Sequence, residues 1–137
     1  MINVDIESLL PQKKPFVMVD TLLSFNDESI SAAYTIKPAD VFIENSQFLE
    51  AGIIEHMAQT VALHTGYQFF LKNETAPTGY IGSISEIKLE KLPKIGDQLF
   101  TEVNILQEFM GITLVSAVTT SNGELVASGK MKTVLAR

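Results

Sequence analysis

One helix-forming stretch, from about Phe48 to Leu71, stands in a chain whose other long segments all have β texture. Ala, Leu, Met, Gln and Glu dominate it, residues that lose little freedom on entering a helix, and its only breakers are Gly52 and Gly66. Lys72-Asn73 suits a helix C-terminus. A short helix is expected over Asp5–Leu10, stopped by Pro11. Phe16–Val19 with Leu22–Phe25 reads as a first strand, Ile30–Ile36 as a second, and residues 38 to 47 as a loop. After Pro77-Thr-Gly79, four segments rich in Val, Ile and Thr follow: Tyr80–Leu92, Gln98–Glu108, Ile112–Thr120 and Glu124–Leu135. Pro93–Asp97, Phe109–Gly111 and Ser121-Asn-Gly123 carry turn chemistry between them, so the strands run as an antiparallel meander. A sheet of about six strands with one long helix available to cover it makes an α+β domain, expected to span residues 1–137 as a single unit.

Composition excludes several functions. Sixteen acidic against ten basic residues give a formal charge of -6, and no basic run exceeds Lys13-Lys14, which argues against nucleic acid or an anionic membrane as partner. The chain has no cysteine, so thiolate catalysis and cysteine zinc sites are out, and MINVDIESLL lacks the pattern of a secretory leader. Glu55, His56, Gln59, Thr60 and His64 interrupt the best apolar run, so no bilayer-spanning helix is expected and a cytoplasmic location is the default.

Glu55 is the first place to look for chemistry. Ile53, Ile54, Met57, Ala58, Val61 and Ala62 surround it in sequence, and a carboxylate among them is costly unless it is partnered, opens onto a cleft, or is kept protonated. Glu55, Ala58, Gln59, Ala62 and Gly66 share one helical stripe whose small residues let another backbone approach. Gln59, one turn on, is within reach to donate to the carboxylate and fix its rotamer; a purely structural Glu-Gln pair is the alternative.

The two histidines, His56 and His64, lie about 12 Å apart along the axis, too far to chelate one metal, and neither meets Glu55 within the helix. No metal site and no cofactor are expected. Gly52 stands near the helix start, where free N–H groups of Gly52 or Ile53 could polarise a carbonyl; a glycine kept for close packing is the competing reading. No phosphate loop or Gly-x-Ser-x-Gly motif is present.

Four segments in order, Leu10-Pro-Gln-Lys-Lys-Pro-Phe-Val-Met-Val-Asp20, Gly52-Ile-Ile-Glu-His-Met-Ala-Gln59, Tyr80-Ile-Gly82 and Gly96-Asp-Gln-Leu99, resemble the β-hydroxyacyl-acyl carrier protein dehydratases. Their branch in aryl polyene or flexirubin-type pigment clusters looks nearest. The resemblance covers nearly the whole chain and implies the hotdog fold, a long helix wrapped by an antiparallel sheet. It also implies a dimer whose sheets join and whose sites lie at the interface: a homodimer, a higher homo-oligomer or a heterodimer. In that family a loop histidine serves the proton beside the thioester and a helix carboxylate serves the departing hydroxyl. Glu55 matches the carboxylate. Val41–Phe48 holds no histidine and sets Asn45 or a neighbour at the base's position, and Pro11-Gln12 stands where the family has Pro-His. His56 is the reserve base, reached from a distorted helix start or from the other subunit, with a partly exposed or hydrogen-bonded helix residue as the competing reading of either histidine.

The resemblance further implies an acyl carrier protein or coenzyme A thioester as partner. Lys13, Lys14, Lys88, Lys91 and Lys94 are candidates for carrier docking, and Phe42, Phe48, Leu49, Tyr80 and Ile84 for an acyl tunnel, with core packing as the alternative for each of the latter. Elimination of water from a 3-hydroxyacyl thioester is the expected activity. An acyl thioesterase and a catalytically silent acyl-binding or heterodimer subunit are the competing readings, because this fold houses all three.

Overall fold

The computed structural model describes residues 1–136. A short helix α1 (Ile6–Leu9) is followed by strands β1 (Thr21–Asn26) and β2 (Ser29–Thr35), and then by a small hairpin of β3 (Ile43–Glu44) and β4 (Gln47–Phe48). The long helix α2 (Glu50–Leu71) leads into β5 (Gly79–Leu89), β6 (Gln98–Phe109), β7 (Ile112–Ser121) and β8 (Glu124–Leu135). The six long strands form one antiparallel sheet in the order β1-β2-β6-β7-β8-β5, curled around α2. This is the hotdog architecture, α+β, with the helix at its centre.

Alternation builds the inner face. Leu99, Thr101 and Val103 of β6 point in while Phe100 and Glu102 point out, and Val115, Ala117 and Thr119 of β7 continue the buried row. Against it α2 sets Ile53, Met57 and Leu63, all without exposed surface. The helix also buries His56, Gln59, Thr60, His64 and Gly66, because segments pack on several of its sides, so its buried polar groups must each find a partner.

The sequence overextends the first strand. Phe16-Val-Met-Val19 has strand composition, yet the β1 ladder starts at Thr21, and residues 16 to 18 are docked on α2 by its side chains. The loop expected at 38 to 47 contains the β3–β4 hairpin, turned by Asn45 and Ser46, both with positive φ (52° and 63°), in the conformation that two-residue hairpin turns require. Strand β5 closes one side of the sheet, nearly every residue exposed, including Tyr80, Ile81 and Ile84. It is bulged at Gly82, which falls between the Ile81 and Ser83 pairs. No described helix is long and apolar enough to cross a membrane.

Candidate active site

Glu55 is half-buried on α2, and it lines a cleft of about 350 Å³. The walls include Leu9 at the end of α1 with Leu10, Pro11 and Gln12 after it; Ala58, Ala62 and Gly66 of α2; the 75–78 segment before β5; Tyr80 and Ile81 of β5; and Thr133 of β8. The small residues of the stripe allow this. A Cβ on Gly66 would collide with the carbonyl oxygen of Leu9, so glycine is what lets α1 lie against the helix and form one side of the cleft.

Gln59 organises the site. Fully buried, it accepts from Met18 N–H at 2.7 Å through Oε1, which fixes its amide orientation. Its Nε2 then donates to Phe16 O at 2.7 Å and to Glu55 Oε1 at 2.9 Å. The i,i+4 contact expected from spacing is therefore present, and it is one arm of a larger tie that clamps residues 16 to 18 to the helix. With Oε1 held, Glu55 keeps its other oxygen, Oε2, for the cleft.

His56 is sealed in the core. Nδ1–H donates to Met18 O at 2.7 Å, and Nε2 accepts from the Thr101 hydroxyl at 2.8 Å, which in turn accepts from Thr119. Both ring nitrogens are spent, so within the subunit His56 reaches no substrate. Burial, outweighing the favourable Met18 carbonyl, pushes its pKa down to about 4. A folded value below the unfolded value of about 6.5 means that the neutral ring contributes stability fully above pH 6.5, and that this is lost as pH falls towards 4, about 3 kcal/mol in all. Urea unfolding midpoints are expected to fall over this window, and to fall less in His56→Asn.

His64 donates through Nε2 to Asn26 O at 2.9 Å and lines a second cleft, between the end of α2 and the sheet. No histidine lines the Glu55 cleft.

The other expected residues are placed as follows. The N–H groups of Gly52 and Ile53 both donate to Leu49 O, at 2.9 and 3.1 Å, so neither is free to polarise a substrate carbonyl within the subunit. Gly52 is needed for packing, because the Phe48 ring lies where its Cβ would stand. Phe48 itself is core, and Asn45 sits exposed at the β3–β4 turn, outside the cleft wall. Tyr80 lines the cleft while remaining 60% exposed, and Gly82 serves the β5 bulge beyond it. Of the tunnel candidates, Phe42, Phe48, Leu49, Tyr80 and Ile84, only Tyr80 lines this cleft.

Of the lysines, Lys14 pairs with Glu7 at 3.7 Å and Lys91 with Glu124 at 3.1 Å. Lys13 donates to Glu7 O. Lys88 and Lys94 stand on separate segments. A larger cleft of about 610 Å³ lies on the other side of residues 15 to 19. Its ionic groups are spent on one another: Lys37 on Asp20, Lys14 on Glu7, and the Tyr34 hydroxyl on Asp40, where burial and then that carboxylate raise the phenol above its ordinary range. The Glu55 cleft is the better seat for chemistry. What sequence reasoning missed there is Gln12, noted only as a departure from a pattern.

Residues 4–136 match the family described as ApeP-like, ApeP dehydratase. The 3-hydroxyacyl-(acyl-carrier-protein) dehydratase FabZ of Vibrio cholerae serotype O1 is 30% identical over 138 residues, covering 93% of this chain and 87% of the relative. FabZ of Vibrio atlanticus is 34% identical over 140 residues, with 93% and 89% covered. Among solved structures, the dehydratase heterocomplex ApeI:P from Xenorhabdus doucetiae superimposes with a TM-score of 0.91 at 15% identity, covering 99% of this chain and 93% of that one. A hypothetical thioesterase with coenzyme A from Streptococcus pneumoniae TIGR4 gives 0.69 at 11% identity, with 84% of each covered.

Proposed function

The chain belongs to the ApeP-like dehydratase family, and we propose that it is the carboxylate-bearing subunit of a dehydratase that converts 3-hydroxyacyl thioesters, carried on acyl carrier protein or coenzyme A, to 2-enoyl thioesters. The observation that carries this reading is a half-buried carboxylate, held at one oxygen by Gln59, on a cleft that no histidine of the same subunit lines. A second copy of the chain would bring only the same two histidines. The base therefore comes from a different hotdog subunit, which favours a heterodimer over a homodimer. The name of the Xenorhabdus doucetiae relative, a dehydratase heterocomplex, supports the same assignment.

A place for that subunit exists. Among the described residues the outer edge of β5 pairs with no strand and its apolar side chains are exposed, a surface that invites a further strand. A partner seated there would adjoin Tyr80 and Ile81 in the cleft wall.

The step balances as follows. The partner's base takes the C2 proton, the C–H electrons form the C2–C3 double bond, and the C3–O bond breaks as protonated Glu55 gives its proton to the leaving hydroxyl. Enoyl thioester and water leave; Glu55 regains a proton from solvent and the base loses one. His56 has no part in proton transfer and instead holds Met18.

Purified alone, the chain is expected to leave a 3-hydroxyacyl-carrier thioester unchanged; mixed with a histidine-bearing hotdog dehydratase subunit, it is expected to yield the enoyl product, followed by its ultraviolet absorbance. Free thiol would identify a thioesterase instead, and no reaction in the mixture would identify a silent subunit.

A further inference from the structure

We propose that Gln12 recognises the 3-hydroxyl group of the substrate, an inference that rests on the dehydratase reading above and assigns a specificity-determining residue to the same site. Among the described residues, Gln12 Oε1 is the one buried side-chain polar atom without a hydrogen-bond partner. Gln12 lines the wall of the Glu55 cleft, its oxygen turned just beneath the surface, so that a turn of the terminal amide brings it to a ligand there. A buried amide oxygen with nothing to accept is a net cost to the fold, and native proteins rarely keep one without a reason.

The segment is not free to swing and relieve it. On one side, Leu9 is packed so closely on Gly66 that no Cβ fits between them. On the other, Phe16 and Met18 are tied to Gln59, and Lys13 Nζ reaches back to Glu7 O at 3.1 Å. Gln12 is held between two anchored stretches with its oxygen unspent.

The chemistry of the ligand follows from what that oxygen lacks. At the reacting end of a 3-hydroxyacyl thioester the carbonyl oxygen and the sulfur only accept; the 3-hydroxyl is the one donor. If its hydrogen goes to Gln12 Oε1, the lone pairs of the hydroxyl oxygen remain for the proton that Glu55 delivers. The hydroxyl is thereby oriented for departure as water. The enoyl product has no donor at C3, leaves Gln12 unpaired again, and is held less tightly than the substrate.

Two pantetheine thioesters test this: a 2,2-difluoro-3-hydroxyacyl compound, which has no C2 proton to lose and so is not turned over, and its 3-deoxy counterpart. Titrated calorimetrically into the wild-type protein assembled with the histidine-bearing subunit, the hydroxy probe is expected to bind on the order of tenfold more tightly than the deoxy probe. Gln12→Met is expected to abolish that preference while deoxy affinity stays within about twofold, which also reports an intact cleft. Gln12→Asn, which withdraws the oxygen by one methylene, is expected to do the same. A preference that survives both substitutions overturns the proposal. Equal weakening of both probes also overturns it, and places the contact on the pantetheine amides. If neither probe binds the wild-type protein assembled with the histidine-bearing subunit, the dehydratase reading falls with it.

Discussion

Glu55→Gln is expected to lower the rate of enoyl formation by the assembled dehydratase by about 10²–10⁴-fold, the range that a positioned general acid supplies. The substitution is chosen for what it keeps. The new carboxamide oxygen accepts from Gln59 Nε2 as Glu55 Oε1 does, so the tie from Gln59 to Phe16 and Met18 is undisturbed and the cleft keeps its shape. What is removed is the proton the leaving hydroxyl requires. The fall is therefore expected in kcat, with KM little changed and the thermal unfolding midpoint near that of the wild type. The measurement is enoyl absorbance under saturating substrate with the histidine-bearing subunit present. Turnover at the normal rate would remove Glu55 from the chemistry.

How much of this site was legible in the sequence depends on whether a contact leaves a local period. The Glu55–Gln59 bond did, because residues four apart on a helix share a face whatever surrounds them. The small-residue stripe did too, and Gly66 serves the close approach of α1 that such a stripe permits. The α+β class was legible from texture, one long helix among alternating strands, and the hotdog architecture from the resemblance of four segments in order to a known family. The other two arms of Gln59 were not. They reach backbone groups 41 and 43 residues away, and such contacts have no periodicity to betray them.

The same reason explains Phe16–Val19. Its composition fits a strand, but whether a neighbouring strand or a glutamine takes its hydrogen bonds is decided in three dimensions. His56 shows the limit from the other side. The divergence of adjacent helix residues already separated it from Glu55, but that the ring turns to Met18 and Thr101 in the core depends on segments distant in sequence. For Gly52 the sequence left two readings, free first-turn N–H groups or close packing; here the chain closes on Leu49 O one residue early, which consumes the N–H groups of both Gly52 and Ile53, and the Phe48 ring fills the space beside Gly52.

Gln59→Met is expected to damage both stability and activity. Methionine fills most of the same volume, so the loss isolates the hydrogen bonds. The buried Met18 N–H and the part-buried Phe16 C=O would lose their side-chain partner, and Glu55 its orienting donor. At about 1–3 kcal/mol for each group left unpaired, the cost is expected to be about 2–5 kcal/mol, read from urea unfolding. Enoyl formation is expected to fall as well, through kcat, because Glu55 then samples rotamers that do not face the cleft. Gln59→Glu separates the two effects. It still accepts from Met18 N–H but, ionised, has nothing to donate to Phe16 O and sets a second negative charge against Glu55. The introduced carboxyl is therefore favoured protonated in the folded state, its pKa raised. Stability tied to a raised acid pKa is present at low pH and lost as pH rises, so the deficit of Gln59→Glu relative to wild type is expected to shrink as pH falls. The deficit of Gln59→Met, which introduces no titrating group, is expected to stay nearly constant. Parallel pH profiles for the two variants would show that Gln59 acts by filling space, and would remove it as the residue that sets the carboxylate.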